Sequence, residues 1–441
     1  MNPIAIDTLI GARWVVPVEP AASVLHQHSV AISGGKIVAL LPSDEAQARF
    51  IPAQRIELRD HVLIPGLINL HTHAAMSLMR GLADDMPLMA WLEKHIWPVE
   101  AKHVSPQFVY DGTLLACAEM LRGGVTCFND MYFFPEAAAR AALTARMRAV
   151  LGIIVLEFPS AYAGDAEDYL HRGLATRDEM RDEALLKFSF APHAPYTVSD
   201  KTFERVATYA QQLDLTVHIH LHETEDEITQ SLAQHQLRPL ARLANLGLLG
   251  PNFIAVHAVH LSCEEIRMLQ RQGCHVAHCP TSNLKLSSGF APVAALLEAG
   301  VNVGIGSDGA ASNNRLDVLG DMRLAALLAK AVAGRPDAVS AHTALQMATI
   351  NSARALGWER EIGSLLPGKA ADIVALDLSG PECLPCYDVV AHLAYSAERS
   401  QVTHVWVNGE LLVENRRPIY IDSGALSLAA DGWRERMQRG S

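Results

Sequence analysis

The chain has 441 residues, half of them hydrophobic, and a formal net charge of −12. This length suits a barrel of about 250 residues with an appended domain, whereas the lack of a lysine- or arginine-rich run excludes a nucleic-acid surface. Seven cysteines without disulfide-type spacing, no signal-peptide pattern and no apolar stretch that could span a bilayer predict a cytoplasmic protein without membrane partners.

The first predicted unit, residues 1–64, has the alternating pattern of β-strands. Strand-like runs lie at residues 30–32, 36–40 and 55–58, with a turn at Gly34-Gly35 between the first two. The segment is too short for an independent β domain, so it needs strands from elsewhere in the chain.

The central unit, residues 65–365, alternates buried strands with amphipathic helices. Apolar and β-branched runs predict the strands, and segments such as residues 108–122 carry apolar side chains at helical spacing. The eight strand-like runs are residues 62–70, 125–129, 149–156, 186–191, 215–221, 253–256, 275–278 and 301–306. Eight such alternations predict an α/β fold, a (β/α)8 barrel of the TIM type, with its chemistry at the carboxyl ends of the strands.

The last unit, residues 366–441, returns to strand patterns. Runs at residues 372–376 and 402–407 are followed by Asn408-Gly409, a strong hairpin signal. With residues 1–64, these strands are predicted to form one small composite β-sandwich from both chain ends.

Side chains that bind metals or transfer protons follow several of the predicted barrel strands. His71 and His73 are two residues apart in a strand, so both are expected to face into the barrel. Asp308 follows the last strand; it could cap the next helix, but facing imidazoles it is better explained as a ligand that also accepts a proton. Such a set binds a divalent metal and leaves one position for water.

The fifth strand leaves a choice among three histidines. His218, His220 and His222 alternate, so all three are expected on the inward face, and periodicity does not select one. Lys187 stands at the start of its strand, near the opposite face of the barrel, so no lysine is expected to bridge two metals. A site for a single metal is therefore predicted.

These residues stand in motifs that resemble the amidohydrolase superfamily, in particular its subgroup of adenosine-type deaminases and triazine hydrolases. The resemblance covers nearly the whole chain. Its motifs are highly specific for the superfamily and fairly specific for the branch that deaminates methylthioadenosine and S-adenosylhomocysteine. The matching motifs are residues 65–73, 81–85, 91–92, 97–100, 123–126, 192–196, 220–224, 282–286, 306–310 and 363–372.

The resemblance implies a metal shell. Its HxxET pattern matches residues 220–224, which implies His220 as the ligand of the fifth strand and Glu223 as the acid–base residue. His71, His73 and Asp308 complete the implied shell around one divalent metal. Zinc is expected, although Fe²⁺ accepts the same ligands.

The resemblance also implies the substrate contacts. His257 is similar to the histidine that steadies the attacking nucleophile, although alone it could be a satisfied core histidine. Glu100 and His193 stand where relatives contact the nucleoside, and Glu100 suits two ribose hydroxyls. Trp91, in another matching motif, is expected to contact the substrate as well.

The implied reaction is the hydrolysis of 5′-methylthioadenosine to 5′-methylthioinosine and ammonia. Asp308 would accept a proton from the nucleophile and Glu223 would protonate ring N1, so both contact the substrate. Residues 154–171 contain no lysine or arginine for the carboxylate of S-adenosylhomocysteine, whereas the apolar run at residues 131–134 suits a methylthio group. S-adenosylhomocysteine and adenosine are expected as poorer substrates.

Other readings are a guanine deaminase or a triazine chlorohydrolase of the same subgroup and, remotely, a metal-binding scaffold without catalysis. Glu223 favours deamination because protonation of a ring nitrogen needs an acid. By the resemblance, a homodimer or homotetramer is expected.

Overall fold

Two eight-stranded sheets organise the chain. The structure, a computed structural model, describes residues 3–439. The described strands are Ile4–Val15 (β1), Leu25–Ser33 (β2), Lys36–Pro42 (β3), Phe50–Pro65 (β4), Leu67–Thr72 (β5), Val125–Asp130 (β6), Arg148–Val155 (β7), Leu186–Pro192 (β8), Thr216–Leu221 (β9), Phe253–His257 (β10), His275–His278 (β11), Asn302–Ile305 (β12), Ile373–Asp377 (β13), Val402–Val407 (β14), Glu410–Glu414 (β15) and Arg417–Pro418 (β16).

Helices fill most of the connections between barrel strands. The described α-helices are Ser43–Arg49 (α1), Leu88–Trp91 (α2), Trp97–His103 (α3), Pro106–Arg122 (α4), Pro135–Thr144 (α5), Ala166–Met180 (α6), Asp200–Leu213 (α7), Glu225–His235 (α8), Pro239–Asn245 (α9), Cys263–Gln272 (α10), Pro280–Lys285 (α11), Val293–Glu298 (α12), Ala310–Asn313 (α13), Val318–Ala333 (α14), Ala341–Met347 (α15), Ile350–Ala355 (α16), Val389–Tyr395 (α17) and Ser423–Gln438 (α18). A π-helix spans Leu92–Ile96, and 3₁₀ turns span Ala74–Met79, Pro381–Cys383 and Arg399–Gln401. Within residues 3–439, no helix is both long and apolar enough to cross a membrane.

The central sheet is the predicted (β/α)8 barrel. Strands β5 to β12 follow one another in spatial order and pair in parallel. At the seam between the last and first strands, the N–H of Asp308 donates to the carbonyl of His71 at 3.0 Å. The Asn69 side chain also binds the backbone N–H of Ser307 at 2.9 Å. Strands buried on both faces need apolar runs rather than alternation, which explains why the sequence pattern found them.

The predicted first barrel strand, residues 62–70, was wrong as a single strand. Residues up to Pro65 belong to β4, which pairs with β1 and β13, whereas β5 begins at Leu67 and pairs with β6. Gly66 lies at the change of sheet, where a Cβ atom would stand 2.0 Å from Thr126 Oγ1. Both segments are buried, so their apolar run does not reveal the transfer from one sheet to the other.

The second sheet joins both chain ends, as predicted, in the order β16-β15-β14-β13-β4-β1-β2-β3. Its two halves approach each other: a Cβ atom on Gly35, in the β2–β3 turn, would lie 2.7 Å from the carbonyl oxygen of Asn408 in the β14–β15 turn. Asn408 and Gly409 have φ values of 50° and 78°, which confirms the predicted tight hairpin. One buried cluster includes Ile10 from β1 and Trp406 from β14.

Candidate metal-dependent active site

Four side chains meet at the carboxyl end of the barrel. His71 is the second-last residue of β5, and His73 directly follows that strand. His220 lies in β9, and Asp308 follows β12. One ligand atom from each lies within 4.8 Å of the others. Asp308 Oδ1 is 3.4 Å from His71 Nε2 and 3.2 Å from His73 Nε2. The structure thus brings together the four residues that were predicted from the sequence as metal ligands.

In two of the histidines, a hydrogen bond made by Nδ1 fixes the direction in which Nε2 points. His73 Nδ1 donates to the carbonyl of Met131 at 2.6 Å, and His220 Nδ1 donates to the carbonyl of His193 at 2.8 Å. Carbonyl oxygens only accept, so both Nδ1 atoms carry a hydrogen and both Nε2 atoms face the centre, where each would offer its lone pair to a metal. His220 Nε2 also lies 3.2 Å from His71 Nε2. Such converging lone pairs with one carboxylate oxygen fit a divalent metal.

Asp308 is held by hydroxyl and backbone donors. Its Oδ2 accepts hydrogen bonds from Ser282 Oγ at 2.6 Å and Ser312 Oγ at 2.8 Å, while Oδ1 accepts from the Gly309 N–H. Burial alone would raise the pKa of Asp308, but hydrogen bonds with His71 and His73 hold it well below its usual range. The carboxylate is therefore ionised and oriented.

The other two histidines that were predicted in the fifth barrel strand, His218 and His222, lie outside this cluster. His218 is buried in the barrel, its ring centroid 5.7 Å from that of His71 and its Nδ1 3.3 Å from Ser189 Oγ. The expectation that His222 shares the inward face was wrong. The strand ends at Leu221, and His222 has φ 54°, so its Nε2 instead accepts the N–H of Leu240 at 3.1 Å.

Glu223 and His257 lie beside the metal-capable cluster. Glu223 Oε2 is 3.7 Å from His257 Nε2, and Glu223 Oε1 accepts a 3.4 Å hydrogen bond from Ser288 Oγ. Burial raises the pKa of Glu223. His257 Nδ1 lies 2.8 Å from Asn283 Oδ1, which can only accept, so Nδ1 carries a hydrogen. The other ring nitrogen, Nε2, is the one that faces Glu223. The pair is placed to handle protons.

A cavity of about 640 Å³ opens from the cluster and contains every predicted substrate contact. Tyr132 donates a 2.7 Å hydrogen bond to Glu100, and burial raises the pKa of Glu100 to about 7 although this bond opposes the rise. Burial lowers the pKa of His193 to about 3, so its imidazole is neutral at pH 7. Trp91 Nε1 donates to the carbonyl of Ala83 at 3.1 Å, which fixes the orientation of the indole in the cavity wall.

Much of the cavity wall is apolar. It combines residues 131–133 of the predicted run 131–134 with Ile154, Leu156 and Phe158, and also includes residues of the π-helix. Among the cavity-lining residues within the described range 3–439, none is lysine or arginine. The cavity therefore combines polar and ionisable groups with an apolar wall that has no basic side chain among the described residues.

Sequence reasoning did not assign roles to several supporting residues. Tyr132 was seen only as part of an apolar run, and Ser282 and Asn283 only as part of a motif. Ser312 had no signal, because a serine in a loop is common. Glu227 stands three residues after Thr224, a spacing typical of a helix capping box, and that pattern could have revealed it.

The barrel and the converging histidine and aspartate side chains define a metal-dependent hydrolytic enzyme. The described arrangement is matched by a known family: residues 62–412 match the amidohydrolase family. The chain belongs to the amidohydrolase family.

Individual relatives extend over almost the whole chain. A 5-methylthioadenosine/S-adenosylhomocysteine deaminase of Saccharophagus degradans is 46% identical over 437 residues, which covers 99% of this chain and 98% of the relative. A solved adenosine deaminase from Xanthomonas campestris with bound zinc has a TM-score of 0.98 and 50% identity, covering 99% of this chain and 100% of that one. An atrazine chlorohydrolase from Arthrobacter aurescens TC1 complexed with zinc has a TM-score of 0.90 and 26% identity, with 97% and 99% covered.

Proposed function

We propose that this enzyme hydrolyses 5′-methylthioadenosine to 5′-methylthioinosine and ammonia, with S-adenosylhomocysteine and adenosine as poorer substrates. The observation that supports this most is the arrangement of one cavity. Glu223, a buried carboxyl group with a raised pKa, stands beside the metal-capable cluster, and the same cavity contains Glu100 and an apolar wall. The similarity to deaminases at 46% and 50% identity supports the same reaction class.

His71, His73, His220 and Asp308 would hold one divalent metal, and we propose zinc. Three imidazole nitrogens and one carboxylate oxygen suit zinc, and the similar adenosine deaminase has zinc bound. A bound metal of this kind lowers the pKa of a water molecule to about 7 and so supplies a nucleophile at neutral pH.

The protein side chains would then transfer the protons of the reaction. Asp308 accepts a proton from the attacking water, and the Nε2 atom of His257 accepts a hydrogen bond that orients this water. Glu223 in its protonated form, favoured by burial, gives its proton to ring N1 and makes C6 electrophilic. The proton taken by Asp308 passes to the amino group, and ammonia leaves as the C6–N bond breaks. The remaining hydroxyl proton returns to Glu223 as the C6 carbonyl forms.

The remaining contacts would select the nucleoside. Glu100, oriented by the hydroxyl of Tyr132, accepts hydrogen bonds from the ribose hydroxyls. His193 and Trp91 line the same cavity and contact the base or sugar. The uncharged wall suits a methylthio group, whereas the carboxylate of S-adenosylhomocysteine would lack an arginine partner there.

A substrate panel tests the proposal. The zinc-loaded enzyme is incubated with 5′-methylthioadenosine, S-adenosylhomocysteine, adenosine, guanine and atrazine, and ammonia and chloride release are measured together. The expected order of kcat/KM places 5′-methylthioadenosine first. A higher kcat/KM on guanine, or chloride release from atrazine faster than deamination, would replace the proposed substrate by that of another subgroup member.

A further inference from the structure

A buried carboxyl group outside the cavity lining binds the backbone next to the catalytic centre. Glu227, in the first turn of α8, is 5% exposed. Its Oε1 accepts a hydrogen bond from the N–H of His222, and its Oε2 accepts one from the N–H of Glu223, each at 2.9 Å. Burial raises the pKa of Glu227 to about 8, and both oxygens can accept whether the carboxyl group is ionised or protonated.

The backbone that Glu227 holds is bent in an unfavourable way. Leu221 is the last residue of β9, and in a continuing strand Glu223 would share its face rather than that of His220. His222 instead adopts a left-handed φ of 54°, which few residues other than glycine adopt easily. This bend lets Glu223 line the same cavity as His220. Such a conformation persists only where the surroundings stabilise it.

Helix α10 shows what ordinary capping looks like. Glu265 holds the same position in α10, and its carboxylate accepts the N–H of Ser262, the residue that caps that helix, at 2.8 Å. The capping residue of α8 is Thr224, but the Glu227 carboxylate passes beyond it to the two preceding residues. Its hydrogen bonds therefore serve the bend rather than the helix end.

We infer that Glu227 is a positioning residue that holds the bend at His222 and thereby keeps the Glu223 carboxyl group directed at the substrate. This inference rests on the acid–base role proposed for Glu223. It assigns a function to a residue that touches neither metal ligand nor substrate.

The first test replaces one accepting oxygen. In Glu227→Gln, the amide NH₂ cannot accept a backbone N–H, so one of the two hydrogen bonds is lost. Because small displacements of a reacting group cost about 10²-fold in rate, kcat should fall by about that factor while KM and zinc content stay unchanged. The matched control is Glu225→Gln, which removes a carboxylate of 85% side-chain exposure from the same helical turn and should keep wild-type kcat. A wild-type kcat in Glu227→Gln would overturn the inference.

The double variant Glu223→Gln/Glu227→Gln separates positioning from a general effect on the fold. If Glu227 acts through Glu223, the double variant should be no slower than Glu223→Gln alone, since residues that act as a unit are not additive. Rate losses that multiply would show that Glu227 works independently, and the inference would fail.

Hydrogen–deuterium exchange tests the bend without any substrate. The peptide covering residues 221–226 should exchange faster in Glu227→Gln than in wild type or Glu225→Gln. If Glu227→Gln does not fold, Glu227→Asp, which keeps the carboxylate on a shorter stem, takes its place. A wild-type enzyme that deaminates no nucleoside would refute the proposed function only, whereas unchanged exchange in the Glu227 variant would refute this inference.

Discussion

Two carboxyl groups of the cavity have opposite protonation tendencies because their neighbours differ. Asp308 faces His71 and His73, which hold its pKa well below the usual range although burial opposes them. Burial raises the pKa of Glu223, although His257 and a long hydrogen bond from Ser288 oppose the rise. Such a separation allows one group to accept a proton while the other donates one.

Replacing Glu223 by glutamine should keep the shape of the site and remove the acid. Zinc content and substrate binding should be retained, while kcat on 5′-methylthioadenosine should fall by about 10²–10⁴-fold, the usual contribution of a general acid–base group. Steady-state kinetics and metal analysis on the same preparation check this. Turnover close to that of the wild type would remove Glu223 from the reaction.

Glu100→Ala should weaken recognition of the ribose. Leaving two buried hydroxyls without an acceptor costs about 1–3 kcal/mol each, so kcat/KM on 5′-methylthioadenosine should fall accordingly. A 2′,3′-dideoxy analogue lacks those hydroxyls and should be affected much less. Tyr132→Phe, which removes only the bond that orients Glu100, should give a smaller loss. Equal losses on both substrates would mean that Glu100 supports the fold instead.

At the scale of elements, the sequence predicted strands better than the bends between them. The runs at residues 125–129 and 275–278 match β6 and β11 closely, because barrel strands are apolar on both faces. In the fifth barrel strand, β9, the alternation of side chains did not show that the strand ends at Leu221, so His222 was placed on the wrong face. The bend is held by hydrogen bonds to the Glu227 carboxyl group in the following helix, and the periodicity of a strand does not report such contacts.

The connections after β11 and β12 are tied together by a second buried carboxyl group. Asp321 in α14 accepts hydrogen bonds from Thr281 in α11, which follows β11, and from Asn313 in α13, which follows β12. Burial raises the pKa of Asp321 to about 7, and these hydrogen bonds oppose the rise. The loops are therefore joined by a group that is easier to bury when protonated.

Asp321→Asn should remove a pH-dependent part of the stability. A raised folded-state pKa means that the stabilising contribution is complete below the unfolded pKa of about 3.9 and is lost as pH rises through about 7. The Tm of the wild type minus that of Asp321→Asn should therefore be more positive at pH 5 than at pH 8. Asp431→Asn, at an exposed helix position, should show no such change. A constant difference for Asp321→Asn would contradict the assignment.

At the scale of the whole molecule, one buried ion pair links the barrel to the composite sheet. Arg148, the first residue of β7, binds Asp372 before β13 through two hydrogen bonds of 2.8 and 3.2 Å. Asp372 Oδ1 also accepts the N–H of Asn408, and its carbonyl accepts the N–H of Gly66 at the change of sheet. We propose that residues 1–64 and 366–441 fold as one unit against the barrel of residues 65–365, with this pair at their junction.

Breaking that pair from one side should be costly. Arg148→Met leaves a buried, unpaired carboxylate, which typically destabilises a protein by about 3–5 kcal/mol. The double variant Arg148→Met/Asp372→Asn should recover part of this loss, because the amide oxygen still accepts the Asn408 N–H. Urea unfolding measures the free energy of unfolding of both variants. The control is Glu167→Gln, which breaks an exposed ion pair with Arg205 and should leave that free energy nearly unchanged. Equal stability of Arg148→Met and wild type would contradict this role.

We propose that His71, His73, His220 and Asp308 act together with Glu223 in the metal-dependent deamination of an adenine nucleoside. The most direct measurement is ammonia release from 5′-methylthioadenosine by one enzyme preparation before chelation, after chelation and after addition of one equivalent of zinc per chain. One ammonia should be released for each methylthioinosine formed, activity should be lost on metal removal, and it should return with zinc. Full deamination by the metal-free protein, or no deamination by the protein carrying one zinc per chain, would contradict it.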